Sequence, residues 1–328
     1  MRNTRRDCRR DVLRAAVLAA VALGGARATG EAQQASAAVR VRTIEMTARQ
    51  TLTENSSAAM SRSQPGVLFT INDSGHDPVL FAIDTTGADR GAWRIENARN
   101  NDWEAVAIGP CGDTPRPGST GNSRTECLYI GDVGDNNARR ATRVIYRVSE
   151  PLARESGFTG SLRAERLEFR YSDGPHDVEA MIVAPNGTVA LITKRRLRDA
   201  RGRARQALVF ELPPDAWTRP GGRPVVAQLV DSLPIVPGSA PGAQITDAAL
   251  SSAGNRLAVR TYRQVHIFAT DSATGRVQRG QPHVVCDITA LRERQGEGIT
   301  WMPDATHLLL TSEGRRSPMH VIACGGTP

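Results

Sequence analysis

Acidic side chains recur near the start of successive apolar units in this chain: Glu104 in DWEAVAIG, Glu179 in DVEAMIV, Asp247 in TDAAL and Glu297 in GEGIT. Carboxylates gathered in one place need counter-charge, protonation or a cation. Such a set offers hard oxygen ligands, the kind that hold Ca2+ or Mg2+ with Asn and main-chain carbonyls completing the shell. The alternative is architectural, with the acids bonding main-chain amides and neighbouring arginines at tight turns. Repetition in every unit favours the architectural role for these four.

The residues that do not repeat are the stronger candidates for chemistry. GDVGDN holds Asp132, Asp135 and Asn136 around Gly131 and Gly134, where the backbone can turn tightly. It reads equally as a turn or as a metal loop, although it lacks EF-hand spacing. His176 in DGPHDVEA is a candidate general base or metal ligand, against the plainer role of a turn residue. Lys194 is the only lysine among 42 Lys and Arg residues, which singles out its ammonium. Arg260 is a candidate for contact with a substrate. The wider polar set is Asn72, Asp73, Asp102, Asp173, Asp177 and Glu313, and the pairs Arg139-Arg140 and Arg195-Arg196 offer anion contacts. GxSxG, HExxH, Walker A and GxGxxG signatures do not occur.

Short strands must position these residues. Five copies of one unit follow each other: small or acidic residues, a strand, a Pro/Gly/Asn turn and a second strand, with further strands behind. The copies are SSAAMSRSQPGVLFTINDSG, the stretch from Asp102 to Asn136, DVEAMIVAPNGTVALITKR, TDAALSSAGNRLAVRTY and GEGITWMPDATHLLLTSEG. No long amphipathic helix intervenes. The expected fold is all-β, a β-propeller with five blades visible, and the polar strand ends converge on one funnel. A sixth blade would have to hide in the insertions, notably between residues 196 and 245, and a β-sandwich is the competing architecture. The fifth copy runs out of sequence. The alternating strand VRVRTIEM (39–46) should complete it and close the ring, half-buried as its period of two implies.

The first 28 residues read as a secretory signal: an Arg-rich start, an apolar run from Ala15 to Leu23, and small residues at Ala26 and Ala28. Arg9-Arg10 and the residues after it suit twin-arginine export, and a Sec signal remains equally open. Residues 29–38 read as a linker and 39–328 as one propeller domain, without a membrane span once the signal is removed. Seven Arg and two Asp leave with the signal, taking the formal charge from +8 to +3, so basicity does not argue for nucleic acid. Cys111, Cys127, Cys286 and Cys324 then remain, an even number in an exported chain. Nearest-neighbour pairing gives Cys111–Cys127 and Cys286–Cys324, the second pinning the ring closure.

Together NDSG (72–75), DWEAVAIG (102–109), LYIGDVGDN (128–136), DGPHDVEA (173–180), ALITK (190–194) and QGEGIT (295–300) resemble a largely uncharacterised group of secreted bacterial β-propellers. That group is loosely related to phytase-like six-bladed propellers. The resemblance covers nearly all of the mature chain and implies a propeller in the periplasm or outside the cell. In phytase-like propellers an acidic cleft holds calcium ions that bridge to substrate phosphate. By that similarity Asp132, Asp135, Asp177 and Glu179 are the implied metal ligands and Ca2+ the implied cofactor.

The leading functional expectation is a monomeric exported propeller that binds a small molecule or an envelope protein at the polar funnel. The alternative is a metal-dependent hydrolase of phosphate esters, with His176, Lys194 or Arg260 acting on the substrate. A structural envelope protein is the third reading.

Overall fold

The computed structural model describes residues 36–48, 50–112, 125–194, 197–198, 201–219 and 223–325. The expected signal peptide, most of the expected linker and Arg195-Arg196 lie outside the described residues. Five antiparallel blades of four strands each surround a common axis. Blade 1 takes Asn55–Met60, Val67–Asn72, Val79–Asp84 and Asp89–Glu96, in order from the axis outward. Blade 2 takes Trp103–Pro110, Glu126–Asp132, Arg143–Ser149 and Glu165–Tyr171. Blade 3 takes Val178–Val183, Val189–Thr193, Ala207–Leu212 and Val225–Leu233. Blade 4 takes Ile245–Leu250, Arg256–Thr261, Gln264–Ala269 and Val284–Asp287. Blade 5 takes Gly296–Trp301, Leu308–Ser312 and Met319–Ala323, and its outer strand is Val39–Ile44 from the other end of the chain.

The five inner strands neighbour one another in a closed ring. Apolar clusters occupy the spaces between blades, and each of the five described clusters joins one neighbouring pair. An inner strand is therefore buried on both faces. This is why SSAAM and VEAMIV read as small or apolar runs, without the alternation of a half-buried strand. Side chains such as Leu68, Ile71 and Leu80 are fully buried, each stabilising the fold by roughly 1.5–3 kcal/mol.

Ring closure by the N-terminal strand occurs as expected, and both disulfides form in the expected pairing. Cys286–Cys324 ties the outer strand of blade 4 to the chain leaving blade 5. The closing strand corrects one expectation. Val39 and Val41 are 61% and 50% exposed, and burial begins only at Ile44, because an outermost strand has no blade beyond its edge. The region that offered a sixth blade supplies, among the described residues, the third and fourth strands of blade 3. The fourth strand of blade 3 also pairs in parallel with that of blade 2, through Phe169–Tyr171 and Val225–Ala227. Asp89–Glu96, outermost of the blade's four strands, had no sequence signal because Gly91 and four charged residues dilute it.

Candidate functional site

Every blade carries a register shift at the same place, just inside the start of its inner strand. A β-bulge leaves the extra residue unpaired and re-aims its side chain. The bulged residues are Ser56, Glu104, Glu179, Thr246 and, with Gly298 beside it, Glu297. Behind them stand the residues that follow each second strand: Asp73, Val133, Lys194, Tyr262 and Glu313. A third tier precedes each inner strand: Glu54, Asp102, Asp177, Gln244 and Gln295. These tiers form the acid-rich mouth of the channel.

The bonds inside it run both between neighbouring blades and within single blades. Ser56 Oγ donates to Glu104 Oε2 at 2.8 Å, and Lys194 Nζ donates to Glu179 Oε1 at 2.5 Å. Glu297 Oε1 accepts from the Tyr262 hydroxyl at 3.0 Å and from Gln295 Nε2 at 2.9 Å. Gln295 Nε2 also donates to Glu313 Oε1 at 2.6 Å. The other oxygen of Glu297, Oε2, is buried and accepts no hydrogen bond. One carboxylate oxygen each from Asp73, Asp102 and Glu104 lies within 4.8 Å of the other two. Gly134 is the wall behind this triad: a Cβ there would stand 2.6 Å from the Asp102 carboxylate and 2.8 Å from Glu104 Cγ.

Negative charge exceeds its compensation here. Burial, then the charges of Glu179 and Asp73, push the Glu104 carboxyl well above its usual range. Burial raises Glu179 and Glu297 likewise, with Lys194 opposing. Asp102 is raised to about 6 by burial and by Asp73, and Glu313 to about 7 by burial and by Glu297. Burial alone would lower the Lys194 ammonium, but Glu179 and Glu297 outweigh it and hold the proton more tightly than usual.

The expected metal ligands are placed differently. Asp132 is fully buried, with Oδ1 on Arg140 at 2.7 Å and Oδ2 on Asn101 at 2.9 Å. Asp135 accepts from the Arg140 main chain at 2.8 Å and pairs with the buried Arg143. Asp177 accepts the Asp135 amide at 2.8 Å. These three acids brace the GDVGDN turn, in which Asn136 is exposed. Glu179 is the one of the four that stands on an inner-strand bulge, and Lys194 takes one of its oxygens.

Of the expected catalytic residues, Lys194 is at the mouth while His176 and Arg260 are held elsewhere. His176 is buried against Tyr171 and Phe210, with Nε2 2.8 Å from Asp173. Arg260 is fully buried, donating to the Gly298 and Thr311 carbonyls at 2.7 and 2.9 Å and pairing with Glu293. Asn72 caps the loop before blade 1, accepting from the Thr53 and Glu54 amides at 3.1 and 3.0 Å.

Asp247 sits one residue beyond the bulge, so Thr246 is the true counterpart of Glu104. Its carboxylate accepts the amides of Ala248, Ile299 and Ala58 at 2.8, 2.9 and 3.3 Å. It thereby ties blades 1, 4 and 5 across the axis, although burial still raises its pKa well above the usual range. Sequence reading missed Ser56, Thr246, Tyr262 and Gln295. Only Tyr262 carried a signal, since it follows its strand as Lys194 follows ALIT.

No protein-family model matches the chain, and no curated protein sequence matches it. Among solved structures the chain is similar to Myxococcus xanthus glutaminyl cyclase, with 14% identity over 89% of this chain and 100% of that one, at a TM-score of 0.49. A gluconolactonase from Xanthomonas campestris shows 15% identity over 89% and 99%, at a TM-score of 0.41. Virginiamycin B lyase from Staphylococcus aureus shows 9% over 82% and 66%, at a TM-score of 0.39. Likenesses at this level carry no argument about chemistry.

Proposed function

We propose that the protein is an exported β-propeller that captures a positively charged ligand at the acid-rich mouth of its channel. The observation that carries this reading is the charge excess. Asp73, Asp102, Glu104, Glu179, Glu297 and Glu313 are opposed within the mouth mainly by Lys194, with Arg140 acting on Asp102 and Arg260 on Glu297 from outside it, and Glu297 keeps a buried oxygen without a donor. A cation supplied by a ligand would complete the set. The two disulfides, and the lack of any helix long and apolar enough to cross a membrane among the described residues, are compatible with an extracytoplasmic location.

The Asp73–Asp102–Glu104 triad favours a second reading, a divalent-metal-dependent hydrolase. All three donors are carboxylate oxygens, which suits Ca2+ or Mg2+ better than zinc. A bound ion would supply Lewis acidity toward a phosphoryl oxygen. The resemblance to phytase-like propellers supports a phosphate ester as substrate, although the residues available are not those that the resemblance implied.

Calorimetric titration with CaCl2, MgCl2 and ethylenediammonium separates the readings. Saturable binding of the diamine, weakened more than tenfold in D102N and E104Q, supports capture of an organic cation. Binding of the metals, with turnover of p-nitrophenyl phosphate that both variants lose, supports the hydrolase. No saturable binding of any of the three sinks both.

A further inference from the structure

We propose that a cavity at the opposite end of the channel binds a small, neutral, apolar molecule of about the size of benzene or toluene. The inner strands run parallel around the axis, as the bonds Ser56 to Glu104 and Ser57 to Val106 show, so their C-terminal ends meet on the face away from the acids. There all five surround a cavity of about 190 Å3. Its wall is predominantly apolar, with Met60, Ile108, Met181, Val183, Leu250 and Trp301 contributing. The methionines provide flexible, polarisable surface that adapts to an apolar guest.

Several of the polar groups around the cavity are already engaged with protein partners. The Met60 amide donates to Thr300 Oγ1 at 2.9 Å, and Trp301 Nε1 donates to the Ala249 carbonyl at 3.1 Å. At the rim, Ser61 donates to Glu150 and Arg62 pairs with Glu126 at 3.5 Å. A water inside would need two to four polar partners, whereas a dry apolar cavity of about 150 Å3 in another protein holds benzene or xenon. Asp247, bonded to three inner strands, lies between this cavity and the acidic mouth. The two ends therefore present opposite chemistries, and this inference stands apart from the cation-binding one.

The test is titration of the oxidised protein with toluene, followed by thermal melting and heteronuclear NMR. The expected result is a saturating rise in Tm with a Kd of about 1 mM or tighter, and chemical-shift changes confined to the strand ends around Met181 and Trp301. Anilinium, of similar size but charged, should leave those signals unmoved. Ala249→Phe, which adds a ring at a residue lining the cavity, should abolish the toluene effect while cation titration at the other mouth is unchanged. Should that variant fail to fold, wild-type crystals pressurised with xenon provide the decision: density beside Met181 and Trp301 supports the site, and its absence there overturns it. A toluene response that never saturates, or that survives in folded A249F, overturns it equally.

Discussion

Asp247 and Asp102 are both partly or fully buried acids at the inner-strand starts, yet their partners assign them opposite duties. Asp247 satisfies three main-chain amides that the ring leaves without strand partners. Asp247→Ala should therefore destabilise by about 3 kcal/mol or more, read as a lower urea midpoint with unchanged slope. Asp102 carries a charge that burial and Asp73 oppose, so Asp102→Asn should leave the urea midpoint at pH 8 unchanged or raised while weakening cation binding. A lower midpoint for D102N would make that acid architectural too. Lys194 holds Glu179, which is 1% exposed. Lys194→Met leaves that carboxylate unpaired and should cost about 3 kcal/mol, much of it recovered in the K194M/E179L double variant. Lys194 was legible because it is the sole lysine; Ser56 and Thr246 were not, because hydroxyls at strand starts are common.

At the scale of the element, the bulge near the start of each inner strand turns five different residues toward the axis. The GDVGDN turn supports one of them. Its acids brace the turn through Arg140 and Arg143, and Gly134 leaves room for Asp102 and Glu104. Gly134→Ala should displace both carboxylates and weaken cation binding at least tenfold with the far-UV spectrum retained. Unaltered binding would show that the triad is not the seat. The motif was visible in sequence as a turn or a site. What hid its role is that its own acids are spent on arginines, while its glycine serves acids from another strand.

The whole molecule joins its ends through Val39–Ile44 and the Cys286–Cys324 bridge. Replacing both cysteines by serine should lower stability by about 3–4 kcal/mol in the loop-entropy view, measured against urea. The mouth also makes the protein sensitive to pH. Asp102 and Glu313 have folded values of about 6 and 7, against 3.8 and 4.5 unperturbed. Values raised on folding mean that the native state holds protons that the unfolded chain releases. The stability they contribute is fully present below about pH 4 and is lost as pH rises through 6 and 7. Cation binding should run the other way, strengthening over the same interval and releasing protons. Proton release measured in buffers of different ionisation enthalpy checks this, and binding independent of pH would contradict it.

The repeated strand-turn-strand pattern, the cysteine count and the incomplete fifth copy pointed to an all-β propeller with five visible blades, its closure and its disulfides. A sixth blade stayed open until the structure assigned Ala207–Leu212 and Val225–Leu233, within residues 196–245, to blade 3. The visible blades, the closure and the disulfides follow from local periodicity and chain bookkeeping. Which acids share a space was decided only by tertiary structure, because Asp73 and Asp102 come from different blades and meet beside Glu104, which stands on a bulge that no periodicity reveals. The same holds for Arg143, whose burial beneath Asp135 diverted the most conspicuous acidic motif from ligand binding to support. Sequence presents carboxylates as equals, and only their neighbours in space determine which are neutralised and which remain to attract a cation.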